Sequence, residues 1–559
     1  MQAAVDAEVL IVGAGPVGLT AAMDLAWRGI PVIVIERRHR GEPPSVKCNH
    51  VSARSMEIFR RLGVAGALRN AGLPPDYPND VSYRTTATGV EVARIHIPGR
   101  STRYTDRSGP DGWWPTPEPP HRINQIFLEP ILFAHAESLP GVTIVNRTEV
   151  EAVECFHDRV VVSIRDLDTG NTRLVTCRYL IGCDGGKSII RAAIGARLAG
   201  DPVVQRVQST FIRAPKLLNL MKEKPAWATF SVNPRRCGNM YAIDGRETWL
   251  IHNYLNPDEA DFQSVDRDAC IRLILGSDPD FTYEVISKED WVGRRLVADR
   301  FRNGRIFISG DAAHLWVPMA GYGMNAGIAD VTDLTWLLAA VLHGWAEPDI
   351  LDAYEAERLP ITEQVSHFAM NHALALGKQR SAVPADIEAP GPAGDKVRAD
   401  FGRELYALNV NQYCCGGLNF GYFYDKSPII AYDAEPQPAY TLYDFTSSTV
   451  PGCRTPHVWL RDGRSLYDAI GPWYTLLRFD SRIDVTPLVE AAAARGVPLA
   501  VLDVASDDEN LDKLCARKLV LSRPDQHVAW RGDCLPENPE SLVDLIRGGS
   551  NKTGRRDAA

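Results

Sequence analysis

The feature that most constrains this chain is a glycine pattern close to its beginning. The apolar run Val9 to Val12 leads into Gly13-Ala14-Gly15-Pro16-Val17-Gly18, which fits Gly-x-Gly-x-x-Gly. A helical pattern, Pro16 to Arg28, follows, and a second apolar run, Val32 to Ile35, ends at Glu36. Strand, glycine turn, helix and strand in this order predict a β-α-β unit whose helix N-terminus faces the phosphates of a dinucleotide.

The residues of this pattern have different expected roles. Gly13 permits the tight turn, Gly15 lets the backbone approach a pyrophosphate, and Gly18 lets the helix pack on the strand. An acidic residue at the end of the second strand is placed to bind ribose hydroxyls. We therefore expect nucleotide contacts from Gly13, Gly15, Pro16, Gly18, Glu36 and Arg37. A glycine turn used for packing alone is the less favoured alternative, and the pattern does not distinguish FAD from NAD.

Size and charge limit the remaining possibilities. A chain of 559 residues is too long for one hydrophobic core and predicts two to four domains. Its 61 Lys plus Arg and 70 Asp plus Glu give a net charge of −9, which disfavours nucleic acid as a partner.

Cysteines and apolar stretches indicate the compartment. The eleven cysteines are scattered without a Cys-x-x-Cys pair, which is typical of reduced thiols in the cytoplasm. No metal-ligand cluster accompanies them. The first residues lack the pattern of a signal peptide, and the apolar stretch around Trp336 to Trp345 is too short to span a bilayer. We expect a cytoplasmic protein that does not bind a membrane.

Two later segments bear on which dinucleotide is bound. The first is Cys183-Asp184-Gly185-Gly186-Lys187-Ser188, and the second runs from Gly310-Asp311-Ala312-Ala313-His314 through Pro318 to Gly321-Tyr322-Gly323-Met324-Asn325. Asp311 follows a strand and can accept a hydrogen bond from a ribityl hydroxyl, although a helix cap is the alternative. The helix that begins near Met324 directs its positive end at the same place, as a reduced, negatively charged flavin requires.

With these three motifs in this order, the chain resembles the flavoprotein aromatic hydroxylases, the single-component monooxygenases that include phenol and 4-hydroxybenzoate hydroxylases. The resemblance covers residues 1 to about 370 and extends to the C-terminal region through Pro451-Gly452, Pro456-His457 and Arg523-Pro524-Asp525. It implies contacts to FAD from Arg54, Gln125, Asp184, Asp311, Gly321, Gly323, Met324 and Asn325. The family usually has an arginine one turn before Arg54, where this chain has Lys47, which keeps the charge without the bidentate fork.

Pattern and resemblance together predict an α/β protein. It comprises a Rossmann-like FAD-binding domain with an inserted β-rich substrate domain and a C-terminal thioredoxin-like domain. The expected boundaries are 1–80, 111–200 and 296–380 for the FAD domain, 81–110 and 201–295 for the substrate domain, 381–434 for a linker with some helix, 435–548 for the thioredoxin-like domain and 549–559 for a disordered tail.

The resemblance also implies the chemistry. No Ser-His-Asp, Cys-His or metal constellation is evident, so the flavin is expected to carry the reaction. NADPH or NADH would reduce FAD, O2 would add to form a flavin hydroperoxide, and a ring carbon of a phenol would attack its distal oxygen. Pro318 is expected to shape the oxygen site through its backbone; an ordinary loop proline is the alternative.

Substrate contacts are expected from the β-rich domain. The candidates are Phe230, Asn239, Tyr241, Trp249 and Tyr254, although aromatic residues there are more often core. His252 could bind or deprotonate a phenol because the ordinary pKa of histidine suits that role, and a merely hydrogen-bonded histidine is the alternative.

The C-terminal region is expected to pack or dimerise without redox activity. Its cysteines, Cys453, Cys515 and Cys534, form no Cys-x-x-Cys, so a homodimer contact is a more natural role. Two rival functions stay open. One is another flavin enzyme of the same fold, an epoxidase or a dehydrogenase, and the other is a non-catalytic nucleotide-binding protein that escorts partners. The sequence does not identify the phenol.

Overall fold

A computed structural model describes residues 5–47, 49–259, 261–507, 511 and 516–549 of the chain. The first of its three sheets contains the predicted β-α-β unit, with α1 (Pro16–Trp27) between strands β1 and β2. Its strands are β1 (Ala7–Val12), β2 (Val32–Ile35), β5 (Val142–Val145), β6 (Thr148–Cys155), β7 (Val160–Asp166), β8 (Thr172–Gly182), β14 (Arg302–Asn303) and β15 (Ile306–Ile308). They lie in the order β14-β15-β8-β1-β2-β5, with β7 pairing β8 and β6, and β15, β8, β1, β2 and β5 are parallel.

The second sheet confirms the predicted β-rich unit between parts of the first. Its order is β16-β13-β9-β12-β11-β10-β3-β4. The strands are β3 (Val81–Arg84), β4 (Glu91–Ile95), β9 (Leu198–Arg213), β10 (Ala228–Ser231), β11 (Gly238–Ala242), β12 (Thr248–Tyr254), β13 (Glu284–Ala298) and β16 (His314–Trp316). Helix α7 (Arg267–Leu275) packs on one face, because its buried Ile271 and Ile274 join the cluster of Trp249 and Ile251.

The third sheet lies in the C-terminal region. Strands β17 (Tyr474–Arg478) and β18 (Leu499–Asp503) are parallel across helix α13 (Thr486–Ala494), and β19 (Leu519–Ser522) and β20 (Val528–Gly532) are antiparallel. The order β18-β17-β19-β20 fits a thioredoxin-like unit. Of its three cysteines, Cys453 is buried and Cys534 exposed, while Cys515 lies outside the described residues.

The helices connect and cover the three sheets. Beyond those already named they are α2 (Ala53–Arg61), α3 (Ala65–Arg69), α4 (Gln125–Ser138), α5 (Ile189–Ala193), α6 (Leu217–Leu220), α8 (Tyr322–Leu342), α9 (Asp352–Ser381), α10 (Gly391–Tyr413), α11 (Gly416–Phe420), α12 (Leu466–Ala469) and α14 (Pro539–Ile546).

One expectation from the sequence needs correction, and three local features are visible only in the structure. The chain from Gly141 to Val150 forms two strands, because Arg147 has a φ of 55° and interrupts the pairing. The segment 381–434, expected to be a linker with some helix, contains α10 and α11. The expectation that the apolar stretch is too short to span a bilayer was wrong, since α8 has 21 residues and is apolar enough, but 89% of its apolar window is buried in the protein core. The C-terminal sheet shares one continuous core with the first sheet, since Tyr474 packs on Trp336 of α8 at 5.8 Å.

Candidate active site

The fingerprint turn encloses a space in front of α1. Gly13 has a φ of 104°, and a Cβ there would lie 2.4 Å from the Cys183 carbonyl oxygen. A Cβ on Gly18 would lie 2.0 Å from the Gly13 carbonyl oxygen. Around Gly15, by contrast, an added Cβ meets no atom within 4 Å, and Pro16 begins the helix without a side-chain cap. The uncapped start of α1 and the open space at Gly15 therefore fit a pyrophosphate.

Glu36 is fixed against the same turn. Its Oε2 accepts a hydrogen bond from the Ala14 amide at 2.7 Å, and its Oε1 accepts one from the Arg38 amide at 2.9 Å. Burial alone would raise the pKa of Glu36, but the hydrogen bonds and charge of Arg38 lower it. The carboxylate is thus ionised and keeps lone pairs for hydroxyl groups. The expected Arg37 is exposed, so the sequence reasoning missed that its neighbour Arg38 holds this carboxylate.

Glu129 of α4 joins this group. Arg38 pairs with Glu129 at 2.6 Å, and Gln125 donates to the same carboxylate at 2.9 Å. The Gln125 amide nitrogen of the backbone also donates to the Lys47 carbonyl at 3.1 Å. Gln125 therefore lies beside the fingerprint, as expected of a cofactor contact, with its side chain bound to Glu129.

Asp311 lies at the end of β15, in a turn over Gly310–Ala312. Its carboxylate has no hydrogen-bond partner among the described residues. It is solvent-accessible but recessed among protein atoms, and desolvation in this recess raises its pKa against the opposing charges of His314 and Lys47. An acceptor without a protein donor fits a hydroxyl group of a bound ligand.

Two other expected cofactor contacts have their side chains occupied by protein groups. Asp184 accepts from the Ser188 hydroxyl at 2.5 Å and the Ile189 amide at 2.8 Å, so it caps α5. Arg54 is buried and donates to Glu57, to Gln526 and, at 2.7 Å, to the Asp525 carbonyl. Arg54 therefore joins α2 to the C-terminal region, because Glu57 lies in α2 whereas the Gln526 side-chain oxygen and the Asp525 carbonyl lie in the C-terminal region.

The start of α8 is held against the chain that precedes α2. Gly321 has a φ of 61° at the helix start, and a Cβ there would lie 2.9 Å from His50. The Asn325 side chain donates to the Gly321 carbonyl at 2.6 Å and accepts from the Ser52 amide at 2.9 Å. No side chain caps α8, so the amides near Gly323 and Met324 keep the partial positive charge of the helix end. Pro318 is exposed directly before this turn.

An aromatic face of the second sheet completes the site. Residues paired across neighbouring strands lie on the same face of a sheet. One face therefore contains the chain of partners Tyr83↔Phe230, Phe230↔Asn239, Asn239↔His252 and His252↔Ser209. Tyr241, Tyr254 and Trp291 have the same parity along their strands. Trp249 has the opposite parity and is fully buried on the α7 side, so it does not join this face.

The polar groups of this aromatic face are only partly satisfied. Asn239 is fully buried, and among the described residues neither its Nδ2 nor its Oδ1 makes a well-aligned hydrogen bond, although the amide acts on the Tyr241 hydroxyl. His252 packs edge-on against Tyr241 at 5.6 Å and Trp291 at 5.9 Å. Its Nδ1 lies 3.0 Å from the Ser209 hydroxyl, which accepts from the Trp291 indole at 2.7 Å. Burial lowers the pKa of His252 to about 4, so the ring is neutral near neutral pH.

The charge of Lys47 acts on both the nucleotide side of the site and the aromatic face. Lys47, whose charge acts on Asp311, pairs at 2.7 Å with Glu289, which lies opposite Ser209. A separate recess of about 520 Å³ beside α7 is lined by residues such as Val285 and Lys288 of the opposite face, so it does not belong to this site.

Comparisons with known proteins agree with this geometry. The family model "FAD binding domain" matches residues 6–369, and "Aromatic-ring hydroxylase, C-terminal" matches residues 448–548. An FAD-dependent monooxygenase of Emericella nidulans is 31% identical over 95% of this chain and 88% of its own. A phenol 2-monooxygenase of Pseudomonas is 28% identical over 97% and 93%. Among solved structures, the rebeccamycin biosynthetic enzyme RebC with reduced flavin is 33% identical over 98% of this chain and 100% of its own, with a TM-score of 0.87.

Proposed function

Because this chain belongs to the family of FAD-dependent aromatic-ring hydroxylases, we propose that its substrate is a phenol built of several rings. The enzyme is an FAD-dependent monooxygenase that uses O2 and a reduced nicotinamide to hydroxylate an aromatic compound. The proposal of a substrate with several rings rests on the aromatic face, which has the Asn239 amide, unpartnered among the described residues, at its centre.

FAD fits the residues that this chain supplies. The open space at Gly15 takes the pyrophosphate, Glu36 is ionised for a ribose, and the unpartnered Asp311 carboxylate accepts from a ribityl hydroxyl. Bound there, FAD supplies hydride acceptance from NADPH or NADH and the activation of O2. The uncapped start of α8 favours negative charge near its first amides. The aromatic face, most of whose rings are half-buried, limits the access of water to the substrate.

The width of the aromatic face supports a multi-ring substrate. Its side chains come from six neighbouring strands, from Trp291 on β13 to Tyr83 on β3. Five spacings of ~4.8 Å give a width of ~24 Å, several times that of one benzene ring. Planar rings gain contact along such a face by offset or edge-on stacking. The described aromatic residues thus favour an extended planar ligand over a single-ring phenol.

We assign His252 to binding and not to deprotonation. A histidine with a pKa of about 4 is a far weaker base than a phenolate, whose conjugate acid has a pKa of ~10. The Ser209 hydroxyl already accepts from Trp291, so its own proton is best satisfied on His252 Nδ1. That arrangement leaves the proton of His252 on Nε2, where it can donate to an oxygen of the substrate.

The test measures substrate-dependent turnover by the FAD-loaded enzyme. We expect NADPH or NADH oxidation and O2 consumption to be slow alone and to rise with hydroxylated anthracenes or naphthols more than with phenol. Products formed under ¹⁸O2 should contain one labelled oxygen on the ring. Equal rates with every phenol, or oxidation without label, would contradict hydroxylation and favour a dehydrogenase; a labelled epoxide would favour the epoxidase.

A matched pair of variants tests the assigned face. Asn239→Leu removes the unpartnered amide at similar volume and should raise the KM for the best phenol. Trp249→Phe changes the opposite face and should leave KM unchanged, provided the FAD content is that of the parent enzyme. If Trp249→Phe raised KM as much as Asn239→Leu, the substrate would not lie on this face.

The compartment and the oligomeric state of the enzyme can also be proposed. We propose that it works in the cytoplasm as a homodimer, in keeping with its scattered cysteines and a C-terminal unit without a Cys-x-x-Cys pair. Light scattering should give twice the mass of one chain, and a monomer at micromolar concentration would contradict this.

A further inference from the structure

Among the residues that the structure describes, one buried arginine forms no ion pair with a carboxylate. Eleven arginines are buried in the described part of the chain. Ten of them form an ion pair with an aspartate or glutamate: Arg28, Arg54, Arg84, Arg103, Arg236, Arg358, Arg398, Arg454, Arg523 and Arg531. Arg122 is the exception. A buried charge is costly unless it is paired, so we propose that Arg122 binds the ionised oxygen of the phenolic substrate.

The contacts of Arg122 leave its charge uncompensated. Its Nη1 donates a hydrogen bond to His50 Nδ1 at 2.6 Å, and its Nη2 has no hydrogen-bond partner in the described part of the chain. The carboxylate that acts most strongly on it is Asp111, which is already bound by Arg103. Two guanidinium groups and one carboxylate leave this buried group with a net charge of +1. An anionic ligand would therefore neutralise this buried group.

Arg122 also lies next to the proposed substrate face. Its guanidinium stacks on Trp227 at 4.1 Å and lies 5.9 Å from the Tyr413 ring. Trp227 in turn packs on Tyr241 at 5.2 Å, and Tyr241 packs on His252. A continuous row of rings therefore leads from Arg122 to the residues proposed to hold the substrate.

Apart from Asp111, which Arg103 already binds, the titratable groups beside Arg122 are uncharged at neutral pH. Burial raises the pKa of Tyr241, of Tyr413 and of Cys414, and Arg122 opposes the rise in each case. Burial and the charge of Arg122 lower the pKa of His50, and burial raises that of Asp111 against the charges of Arg103 and Arg122. The same positive field must lower the pKa of a substrate phenol placed beside it.

This inference rests on the proposed function and adds the group that keeps the phenol ionised. Because His252 is too weak a base, the enzyme selects the phenolate that solution supplies, and the phenol proton passes to the buffer. The negative charge on the oxygen pairs with Arg122 and makes the ring more electron-rich. No oxidant or reductant is needed for this step.

The experiment titrates a bound chromogenic phenol. FAD-loaded enzyme without nicotinamide is mixed with 4-nitrophenol, and the absorbance of bound nitrophenolate is followed against pH. We expect the pKa of the bound probe to be lower in the parent enzyme than in Arg122→Met by about one unit or more, which is a tenfold difference in affinity for the anion. Arg122→Lys, which keeps the charge but not the fork, should give an intermediate shift.

Controls separate this role from folding and from cofactor binding. Arg107→Met removes an exposed arginine from the same loop and should leave the probe's pKa unchanged. Arg122→Met should keep its FAD and melt at or above the parent temperature, since an unpaired buried charge is removed. Loss of FAD by this variant would overturn the inference by making Arg122 a cofactor contact.

The remaining outcomes distinguish this inference from the proposed function. An unchanged probe pKa in Arg122→Met, with phenols still hydroxylated, would overturn the inference alone. Binding of 4-nitrobenzoate that needs Arg122, without any effect on nitrophenolate, would assign the site to a carboxylate instead. If neither nitrophenol nor any phenol bound to the parent holoenzyme, the inference and the proposed function would fail together.

Discussion

Three glycine-to-alanine changes can separate the fold of the nucleotide cradle from its ligand. At Gly13, alanine would have to adopt a φ of 104°, and its Cβ would lie 2.4 Å from the Cys183 carbonyl oxygen. Backbone strain of ~1–3 kcal/mol and overpacking of ~1–3 kcal/mol together predict a loss of ~2–6 kcal/mol. At Gly15 the φ is −76° and no atom lies within 4 Å of an added Cβ. The only expected loss of stability comes from alanine being a poorer helix N-cap than glycine, which costs about 1 kcal/mol at most.

The two variants should therefore fail in different ways. Gly13→Ala should lower the melting temperature of the FAD-free protein by ~4 °C or more, at ~2–4 °C per kcal/mol for a unit of 150–250 residues. Gly15→Ala should melt close to the parent temperature but bind FAD more weakly, because its methyl group occupies the space left for the pyrophosphate. FAD affinity is measured by the quenching of flavin fluorescence during titration.

A third variant controls for the effect of lost stability on FAD binding. Gly29, at the far end of α1, has a φ of 80° and open surroundings. Gly29→Ala should thus be destabilised by backbone strain yet keep FAD affinity. The reasoning would be refuted if Gly15→Ala melted as early as Gly13→Ala, or if it bound FAD as tightly as the parent protein.

The other predictions concern single carboxylates and the C-terminal cysteines. Asp311→Ala should weaken FAD binding by roughly 10- to 150-fold, the equivalent of one hydrogen bond to a charged group at ~1.5–3 kcal/mol, without changing the far-ultraviolet circular dichroism. Burial and two neighbouring carboxylates raise the pKa of Asp333, so the folded chain retains a proton that the unfolded chain releases. As the pH rises from the unfolded-state pKa to the folded-state pKa of this group, the free energy of unfolding therefore falls by ~1.4 kcal/mol per pH unit. Asp333→Asn should remove that slope from the pH dependence of urea unfolding above the ordinary pKa of ~4. The charge of Arg523 lowers the pKa of Asp525 despite burial, so this carboxylate stabilises the fold above the ordinary pKa of ~4, and Asp525→Asn should be less stable at neutral pH. Replacing the three C-terminal cysteines by serine should leave hydroxylation nearly unchanged; a folded, flavin-loaded variant without turnover would contradict a non-redox role.

The nucleotide side of the site could be predicted because its signals are local. Gly13, Gly15 and Glu36 lie within one β-α-β unit, where each residue type follows from backbone geometry. Asp311 and Gly321 could likewise be selected, since a short segment contains the strand end, the turn and the start of α8. The same motifs did not reveal that Asp184 caps α5 or that Arg54 contacts the C-terminal region, because the partners of a side chain are not part of a motif.

The substrate side could be predicted only in part. Alternation along β11 and β12 indicated which residues are in strands, but it does not tell which face meets the ligand. Trp249 and His252 are three residues apart, so they lie on opposite faces, and only the sheet register and the position of α7 assign each one. The sequence also left open whether His252 binds or deprotonates the phenol, and the pKa of about 4 that burial gives it favours binding.

Buried arginines show why the sequence alone cannot separate structural from ligand-binding charges. Arg523 is fully buried and donates to Glu357 at 2.6 Å, to Asp333 at 3.1 Å and to Asp525 at 3.0 Å. Two of these partners are more than 160 positions away in the chain, so no pattern near Arg523 announces them. Arg122 is the same residue type at similar burial, with no carboxylate brought to it by the fold. Both guanidinium groups are buried, so removing each from water costs a similar free energy. Arg523 has its counter-charges within the protein, whereas Arg122 needs one from outside. A phenolate on the adjoining aromatic face supplies that charge.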